Sequence, residues 1–430
     1  MIPTQKIYWH TTVQMPDDSN LMPLPEKVDV AIMGGGYTGL SAAKTLAKNG
    51  VNAAVLETNT VGWGASSRNG GMVLTGLKLG MQTVMRKYGQ HLAKRLFRCS
   101  LEAIDTVEQI VKEENIDCGF RRYGHLLTAN KPKHYDALKE EAEFMEKAFN
   151  HKLHVLSRAE QCAEIGSDIY HGALLDECSG GLNPAQYVTG LALAAAKAGA
   201  TLHARARINR LERRHGRSDF LIETERGSLS AEAVLVATSG YTGNVTHKLQ
   251  KKIVPIGSFI IATERLTDEM VKELIPHNRM IFDSKHFLNY FRLWDQRLIF
   301  GGRAAFFPET SHTIQRSAEI LQREMIQVYP QLKDVNVEYV WGGTLDFTFD
   351  MMPHVGEVEG IYYSLGYAGH GVAMATYLGK TVAEAMIKGD IKEHPFTSFS
   401  FPGAPLGLYN GFPWFLPFAG AWHKILDWIE

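Results

Sequence analysis

Residues 28–39 read VDVAIMGGGYTG, and this stretch decides the fold. The apolar run Val28–Met33 ends abruptly in glycine, which is typical of a buried strand in a parallel sheet. A helical pattern follows from about Tyr37 to Asn49, and Val51–Leu56 has the pattern of a second strand. Strand, glycine cluster, helix and strand in this order predict a dinucleotide-binding βαβ unit.

The first glycine cluster, Gly34-Gly-Gly36-Tyr-Thr-Gly39, satisfies the spacing G-x-G-x-x-G. Gly34 permits the tight turn, Gly36 lets the backbone approach a pyrophosphate, and Gly39 lets the helix pack closely on the strand. The pyrophosphate would face free amide groups and the positive end of the helix dipole. We therefore assign Tyr37 and Thr38 to the cofactor site together with these glycines.

Glu57 ends the second strand, about 20 residues beyond the glycines. A carboxylate at this place reaches the ribose hydroxyl groups of an adenosine, and its charge would repel a 2′-phosphate. The glycine spacing alone is a weak signal, but strand, helix and acid at these intervals make it a strong one. The sequence therefore predicts an adenine dinucleotide and disfavours NADP.

Two further glycine clusters favour FAD over NAD. The second, Gly62-Trp-Gly-Ala-Ser-Ser-Arg-Asn-Gly-Gly71, follows the acid closely, and NAD has no evident need for it. The flavin half of FAD extends past the pyrophosphate and does need close backbone approach. The serine oxygens and the arginine of the second cluster are expected to contact phosphate and ribitol oxygens of FAD. The last two glycines of the cluster are expected to lie beside the flavin ring. The assigned residues are Ser66, Ser67, Arg68, Asn69, Gly70 and Gly71.

The third cluster, Gly366-Tyr-Ala-Gly-His-Gly371, precedes a predicted helix over Val372–Ile387. The N-terminus of that helix would stabilise the negative charge that reduced flavin carries. A lone histidine in a loop is more often a packing or hydrogen-bonding residue than an acid or base, so we assign His370 to the flavin site. The assigned residues are Gly366, Gly369, His370, Gly371 and Val372.

The motifs VAIMGGGYTGLSAAKTLAKNG, VLETNTVGWGASSRNGG and GYAGHGVAMATYLGKTVAEA resemble the FAD-dependent D-amino-acid oxidase and glycine/sarcosine oxidase superfamily. The likeness covers nearly the whole chain, which most resembles the γ-glutamylputrescine oxidoreductase group. The resemblance implies an α/β fold (α+β overall) with a Rossmann-like FAD-binding domain and an interleaved substrate domain on a mixed, largely antiparallel sheet. It also implies that Ile208, in a strand near Thr201–Leu211, meets the adenine through its backbone.

The order of the predicted elements implies that one domain is assembled from separated segments, with the other inserted between them. Residues 1–25 form a polar lead-in that we expect to run extended along the surface. The aromatic C-terminal tail, 391–430, is expected either to dock on its own domain or to rest on a membrane surface. We expect the FAD-binding domain at 26–80, 150–245 and 345–390, and the substrate domain at 81–149 and 246–344.

Two departures from the superfamily pattern concern FAD attachment and the electron acceptor. Sarcosine oxidases tether FAD through a cysteine in the segment that matches Trp341–Asp350, and this chain has no cysteine there. Other relatives tether FAD through a histidine in the loop that matches residues 64–71, where this chain has Arg68-Asn69. The resemblance therefore implies that FAD is bound non-covalently. Leu298–Gly301 occupies the strand in which sarcosine oxidases carry an oxygen-activating lysine. Oxygen and a quinone or other electron carrier therefore both remain possible acceptors.

Candidate substrate contacts lie in the strand-rich second half of the chain. Tyr290 and Arg292 alternate onto one face of a strand, and Arg303 follows on the next. An arginine there could bind a substrate carboxylate, although a structural ion pair is the equal alternative. Trp341 could wall the cavity or simply pack in the core. Asp346 and Asp350 could attract the distal ammonium group of a polyamine, but we interpret them as solvated loop acids.

These assignments indicate an FAD-dependent oxidoreductase that oxidises an amine. The alternatives are an NAD-dependent dehydrogenase and a non-catalytic flavin-binding subunit of a larger complex. The formal net charge of −1 makes nucleic acid an unexpected partner, and none of the four cysteines has the C-x-x-C spacing of a zinc site. The start has no signal-peptide pattern, and no segment is long and apolar enough for a membrane span. We expect a cytoplasmic protein, with at most a peripheral membrane contact through the tail.

Overall fold

The structure is a computed structural model that describes residues 3–16, 21–214, 216, 218–305 and 310–413. The helices of the described residues are α1 Tyr37–Lys48, α2 Met81–Tyr88, α3 Gln90–Glu113, α4 Pro132–Phe149, α5 Pro184–Lys197, α6 His247–Gln250, α7 Asp268–Leu274, α8 Ser311–Val328 and α9 Gly371–Lys388. The strands are β1 Lys27–Met33, β2 Ala53–Leu56, β3 Met72–Val73, β4 His125–Thr128, β5 His154–Leu156, β6 Ala173–Asp176, β7 Gly180–Gly181, β8 Thr201–His203, β9 Ile208–Arg213, β10 Phe220–Thr224, β11 Gly227–Val236, β12 Ile253–Thr263, β13 Met280–Asp283, β14 Tyr290–Trp294, β15 Arg297–Ala305, β16 Val337–Thr348, β17 His354–Val358 and β18 Ile361–Leu365.

The first sheet has the order β17-β18-β11-β1-β2-β8, with β10 paired to β11 and β9 paired to β10. Strand β1 lies parallel to both of its neighbours, β2 and β11. Its alternate residues enter two different cores, because Val30 and Ile32 pack with α1 and α9 while Ala31 and Met33 face the other side. Burial on both faces explains why the VDVAIM segment is almost continuously apolar.

The second sheet has the order β16-β12-β15-β14-β13-β4-β6-β5. All of its pairings are antiparallel except β13 with β4. On one face Phe291 and Phe300 pack with α8, and on the other Trp341 packs against Trp9. The predicted fold class, with a mixed and largely antiparallel second sheet, is thereby confirmed.

The segments that form the two sheets alternate along the chain. Strands β5 and β6 lie in the range 150–245 that we assigned to the FAD-binding domain, but they pair with each other and with β4 in the second sheet. The assigned domain ranges remain predictions. Among the described residues, no helix combines the length and the apolar character that crossing a membrane requires.

The expectation of an extended N-terminal lead-in on the surface is wrong for its aromatic part. Residues Tyr8–Thr11 form a short 3-10 helix, in which Tyr8 and Trp9 are buried at 3% and 0% exposure. The ring of Trp9 packs edge-on against Trp294 and Trp341. The segment is buried because it fills the face of the second sheet opposite α8.

Candidate cofactor and active site

The first glycine cluster lies in the turn from β1 into α1. Gly36 is the residue before the helix, and the amide of Tyr37 donates to Ser66 Oγ at 3.0 Å. A Cβ atom on Gly39 would lie 2.0 Å from the carbonyl oxygen of Gly34. Only glycine therefore lets α1 begin this close to the end of β1.

Glu57 lies at the mouth of α1. Its Oε2 accepts a hydrogen bond from the amide of Gly35 at 2.7 Å, and its Oε1 accepts one from the amide of Asn59 at 2.9 Å. Burial raises the pKa of Glu57, while these backbone donors act in the opposite direction. The carboxylate is therefore held by backbone amides at the turn that leads into α1.

A cavity of about 540 Å³ extends from this turn to the N-terminus of α9. Thr238–Thr246 and Thr344–Asp346 contribute further wall residues that sequence reasoning did not identify, since no local motif marks them. The assigned cofactor residues that line the cavity are Gly34, Gly36, Tyr37, Thr38, Glu57, Ser66, Asn69, Ile208, Gly369, Gly371 and Val372. Those outside its lining are Gly39, Ser67, Arg68, Gly70, Gly71, Gly366 and His370.

The third glycine cluster is fastened by a buried acid. The amide of Gly366 donates to Asp346 Oδ2 at 2.6 Å, and the amide of Ala368 donates to the Asp346 carbonyl at 2.9 Å. Burial raises the pKa of Asp346, which is 4% exposed. Asp350 binds His354 Nε2 at 2.9 Å. The interpretation of these two aspartates as solvated loop acids is wrong, because both hold backbone or side chains within the fold.

These elements match a known family. The family described as FAD dependent oxidoreductase (DAO) matches residues 29–385. The chain belongs to the DAO family of FAD-dependent oxidoreductases.

Two sequence relatives and one solved structure illustrate the likeness. The γ-glutamylputrescine oxidoreductase of Escherichia coli strain K12 is 33% identical over 384 residues, which are 87% of this chain and 88% of that protein. The probable oxidoreductase OrdL of Haemophilus influenzae is 32% identical over 392 residues, which are 90% of this chain and 88% of that protein. The crystal structure of glycine oxidase from Geobacillus kaustophilus superposes with a TM-score of 0.74 at 20% identity, covering 89% of this chain and all 100% of that one. The predicted superfamily is therefore confirmed.

The cavity residues fit the FAD that this family uses. The N-termini of α1 and α9 both open onto the cavity, so the positive ends of two helix dipoles face it. Glu57 lies beside the first of them, where a ribose would need a carboxylate. Gly36 leaves room that a Cβ atom would fill, since that atom would lie 2.8 Å from Ser66 Oγ.

Ser67 and Arg68 make contacts within the protein rather than lining the cavity. Ser67 Oγ is bonded to His10 Nε2 at 2.8 Å. Arg68 donates from Nε to the carbonyl of Trp63 at 2.8 Å, and its guanidinium stacks on the Trp63 ring at 4.2 Å. A second donor of Arg68 reaches the carbonyl of Gly342 in β16 at 3.3 Å. The bond to Gly342 fastens the second glycine cluster to β16, whereas we expected Ser67 and Arg68 at phosphate and ribitol oxygens.

His370 immediately precedes α9, and its Nδ1 is buried with no hydrogen-bond partner among the described residues. Burial, reinforced by the nearby Lys78 and His125, lowers the pKa of His370 to about 3. Burial also lowers the pKa of the half-buried Lys78. The imidazole is therefore neutral near pH 7 and does not change its charge in that range.

Tyr290 and Trp341 lie where the second sheet meets the second glycine cluster. The Tyr290 ring covers Gly301 and also Gly70, on which a Cβ atom would lie 3.1 Å from the ring. Its hydroxyl is 3.3 Å from Ser258 Oγ, and burial raises its pKa to about 12. Trp341 is 3% exposed and donates from Nε1 to the carbonyl of Arg68 at 2.8 Å. Both residues thus support the second glycine cluster.

The prediction that Arg292 clamps a substrate carboxylate is wrong for this structure. Arg292 is 0% exposed, and its Nη1 donates to the carbonyls of Gly71 at 2.9 Å and Leu182 at 3.0 Å. The alternation along β14 turns Arg292 towards the backbone of Gly71 and Leu182, whose carbonyl oxygens accept from its Nη1. The side chain of Arg303 lies outside the described part of the structure, so its assignment stays a prediction.

His151, Asp176 and Cys178 form a group in which the possible metal-ligand atoms lie within 4.8 Å of one another. The oxygens of Asp176 accept hydrogen bonds from Thr75 Oγ at 2.7 Å and from the Cys178 amide at 2.8 Å, and Oδ2 lies 2.9 Å from His151 Nε2. Hydrogen bonding within the protein therefore accounts for this arrangement.

Proposed function

We propose that this chain oxidises the C–N bond of an amine or amino acid. Bound FAD would supply the two-electron acceptor, with hydride transfer to its N5 atom, and the imine product would then hydrolyse. The substrates we propose are a polyamine derivative such as γ-glutamylputrescine, or a secondary or D-amino acid. The Escherichia coli relative named for γ-glutamylputrescine and the glycine oxidase structure support this substrate class.

The cavity between the N-termini of α1 and α9 is the observation that carries the proposal. It is lined by residues of all three glycine clusters and by Glu57. The matched family is FAD-dependent, which disfavours the alternative of an NAD-dependent dehydrogenase. A non-catalytic flavin-binding subunit would bind the same cofactor, so only a reaction with an amine separates it from an enzyme.

The residues near α9 and the second sheet bind, orient and exclude water, and they need not exchange a proton. His370 is neutral and Tyr290 keeps its proton, because burial holds their pKa values at about 3 and about 12. A desolvated pocket also favours the neutral form of the amine, which is the form that reacts. Tyr290, Trp341 and Arg303 remain our candidates for substrate contact.

We also propose that FAD is bound without a covalent bond. Among the described residues that line the cavity there is no cysteine and no histidine, the two side chains considered above for a covalent bond to FAD. Acid precipitation of the holoprotein should leave all of the yellow colour in the supernatant. Yellow protein in the pellet would show a covalent bond.

An anaerobic bleaching screen tests the proposed activity. Purified holoprotein is mixed with γ-glutamylputrescine, putrescine, sarcosine, glycine and D-alanine, and the flavin absorbance near 450 nm is followed. We expect at least one amine to bleach it. Readmitted oxygen, or a soluble quinone added without oxygen, then identifies the acceptor. FAD that no amine bleaches, although dithionite reduces it, would favour the non-catalytic subunit.

The cytoplasmic location and the peripheral membrane contact stay predictions. Phe401 stacks on His354 with ring centroids 4.1 Å apart, and Tyr409 is buried. Phe412 is 68% exposed. The remaining tail aromatics, Trp414, Phe415, Phe418, Trp422 and Trp428, lie outside the described residues. The first part of the tail therefore docks on the fold, which supports the docking alternative for that part.

A further inference from the structure

Arg292 is a buried cation that the fold and the proposed reaction leave unexplained. Its Nη2 has no hydrogen-bond partner among the described residues, although its Nη1 binds two carbonyls. No ion pair joins it to a carboxylate within the described chain. Burial lowers the pKa of Arg292 to about 10, so the guanidinium still carries its charge near pH 7. An unpaired buried charge is costly, and its retention calls for a role.

The backbone that Arg292 binds is the end of the second glycine cluster. Gly71 has a φ of +71°, and a Cβ atom there would lie 2.1 Å from the Leu182 carbonyl and 3.0 Å from Nη1 of Arg292. The amide of Leu182 donates to the Gly71 carbonyl at 2.9 Å. A Cβ atom on Gly181 would lie 2.7 Å from Arg292 Nη1. Two glycines therefore make the space in which the guanidinium reaches the carbonyls.

Arg292 connects the two halves of the molecule at this point. It lies on β14 of the second sheet, while Gly71 ends the loop that leads from the first sheet. The guanidinium is also 5.1 Å from the ring centroid of Trp294 on the same strand. Carbonyls and an aromatic ring stabilise a cation without neutralising it, so the positive field persists around Gly71.

We propose that Arg292 is a positioning residue that holds Gly71 against Leu182 and places an unpaired positive charge behind the loop that carries the flavin. This inference rests on FAD binding by the second glycine cluster, as in the proposed function. It assigns to Arg292 a stabilisation of FAD forms in which the ring is negatively charged. The residue is thus not a substrate ligand.

Sulfite binding measures this effect without any amine substrate. The sulfur lone pair of sulfite forms a bond to N5 of oxidised flavin, and an electron pair moves to the N1–C2 carbonyl region. The ring of the adduct is therefore negatively charged, and its dissociation constant reports the local field. The flavin absorbance near 450 nm falls as the adduct forms, and this loss gives the titration curve.

The variants are Arg292→Met, which removes the charge, and Arg292→Lys, which keeps it but loses the planar double donor. Arg297→Met is the matched control, because Arg297 is also largely buried in the second sheet but binds Thr263 and Glu338. We expect Arg292→Met to weaken sulfite binding about tenfold or more, since one unit charge is lost from a low-dielectric site. Arg292→Lys should stay within about threefold of wild type for sulfite while binding FAD more weakly, and Arg297→Met should change neither.

Sulfite affinity of an FAD-loaded Arg292→Met protein equal to that of wild type would overturn the proposal. A tenfold loss of sulfite affinity in Arg292→Lys would overturn it as well, because the charge would then not be what matters.

If Arg292→Met cannot retain FAD, the salt dependence of sulfite binding by wild-type protein tests the proposal instead. Its sulfite affinity should change less than twofold between 0.05 and 1 M salt, because a buried charge is screened little. A large fall with salt would assign the field to surface charges instead. Failure of every amine to bleach the flavin would contradict the proposed activity but leave these sulfite results intact.

Discussion

Replacing Glu57 by glutamine tests the geometry on which FAD binding depends. Both oxygens of Glu57 accept backbone amide hydrogens, from Gly35 at 2.7 Å and from Asn59 at 2.9 Å. A glutamine can accept only through its carbonyl oxygen, so its NH₂ group must face one of these amides. A buried donor left without an acceptor costs about 1–3 kcal/mol. The free energy of unfolding of the apoprotein should fall by about this amount.

The same substitution should weaken FAD binding more than it weakens folding. A carboxylate that accepts ribose hydroxyl hydrogens makes charge-assisted bonds, each worth about 1.5–3 kcal/mol. Loss of roughly 2 kcal/mol corresponds to a dissociation constant about 30-fold higher. Titration of deflavinated protein with FAD, followed by quenching of flavin fluorescence, gives this constant. Urea unfolding of the same apoprotein gives the stability change separately.

Glu232→Gln is the matched control for Glu57→Gln. Glu232 lies on β11 of the same sheet, and its pair with Lys27 is exposed, with side-chain exposures of 57% and 60%. Exposed pairs contribute little, so we expect less than about 1 kcal/mol change in stability and no change in FAD affinity. FAD binding by Glu57→Gln within threefold of wild type would refute the reasoning, because the carboxylate would then not hold the ribose.

Three other predictions follow from single contacts. Gly39→Ala should abolish tight FAD binding and lower the free energy of unfolding by about 1–3 kcal/mol, because the new Cβ atom would lie 2.0 Å from the carbonyl oxygen of Gly34. Near-normal retention of FAD on gel filtration would contradict this prediction. Asp346→Asn should lower apoprotein stability by about 1–3 kcal/mol in urea unfolding and weaken FAD binding, because the neutral oxygen of an amide accepts from the Gly366 amide more weakly than a carboxylate does. Unchanged values would show that the bond at 2.6 Å is dispensable. The free energy of unfolding should also fall as the pH drops from about 6.5 to 4. Burial lowers the pKa of His394 to about 4, so in this range the unfolded chain binds a proton that the folded chain does not. His394→Asn should reduce the pH dependence of the free energy of unfolding, measured by urea unfolding, by at most about 1.4 kcal/mol per pH unit.

The βαβ unit could be predicted because its determinants are local. The apolar run of β1, the glycine spacing and Glu57 lie within one short segment, and each has one conformational or chemical reason to be there. The neighbouring strand near Thr201–Leu211 was predicted less well, because the structure divides it into β8 and β9. Arg205 between them has a φ of +54°, and the amide of Ala206 donates to the Glu57 carbonyl at 2.8 Å. The chain leaves the sheet to bond the loop after β2, and no periodicity of residues reveals that.

The environment of Arg292 could not be predicted for a different reason. Alternation along β14 fixes which face of the strand its side chain occupies, but it does not reveal what covers that face. Here the cover is the backbone of Gly71 and Leu182, from segments remote in the sequence. An arginine on an uncovered face could have bound a carboxylate. The pairs of small residues at 70–71 and 180–181 were the available signal, since they mark where another chain segment approaches closely.

The second glycine cluster is held by three donors from three distant parts of the chain. Trp341 Nε1 binds the carbonyl of residue 68 at 2.8 Å, Trp9 Nε1 binds that of residue 69 at 2.9 Å, and Arg292 Nη1 binds that of residue 71 at 2.9 Å. Each donor is buried, and each turns a loop carbonyl towards the second sheet. A loop whose carbonyls point away from the cavity is suited to a cofactor that carries negative charge. Trp9→Phe keeps most of the packing and removes one donor, so it should weaken FAD binding by about 0.5–1.5 kcal/mol with a smaller loss of apoprotein stability. If Trp9→Phe instead lowered stability and left FAD affinity unchanged, the buried N-terminal segment would serve the core alone.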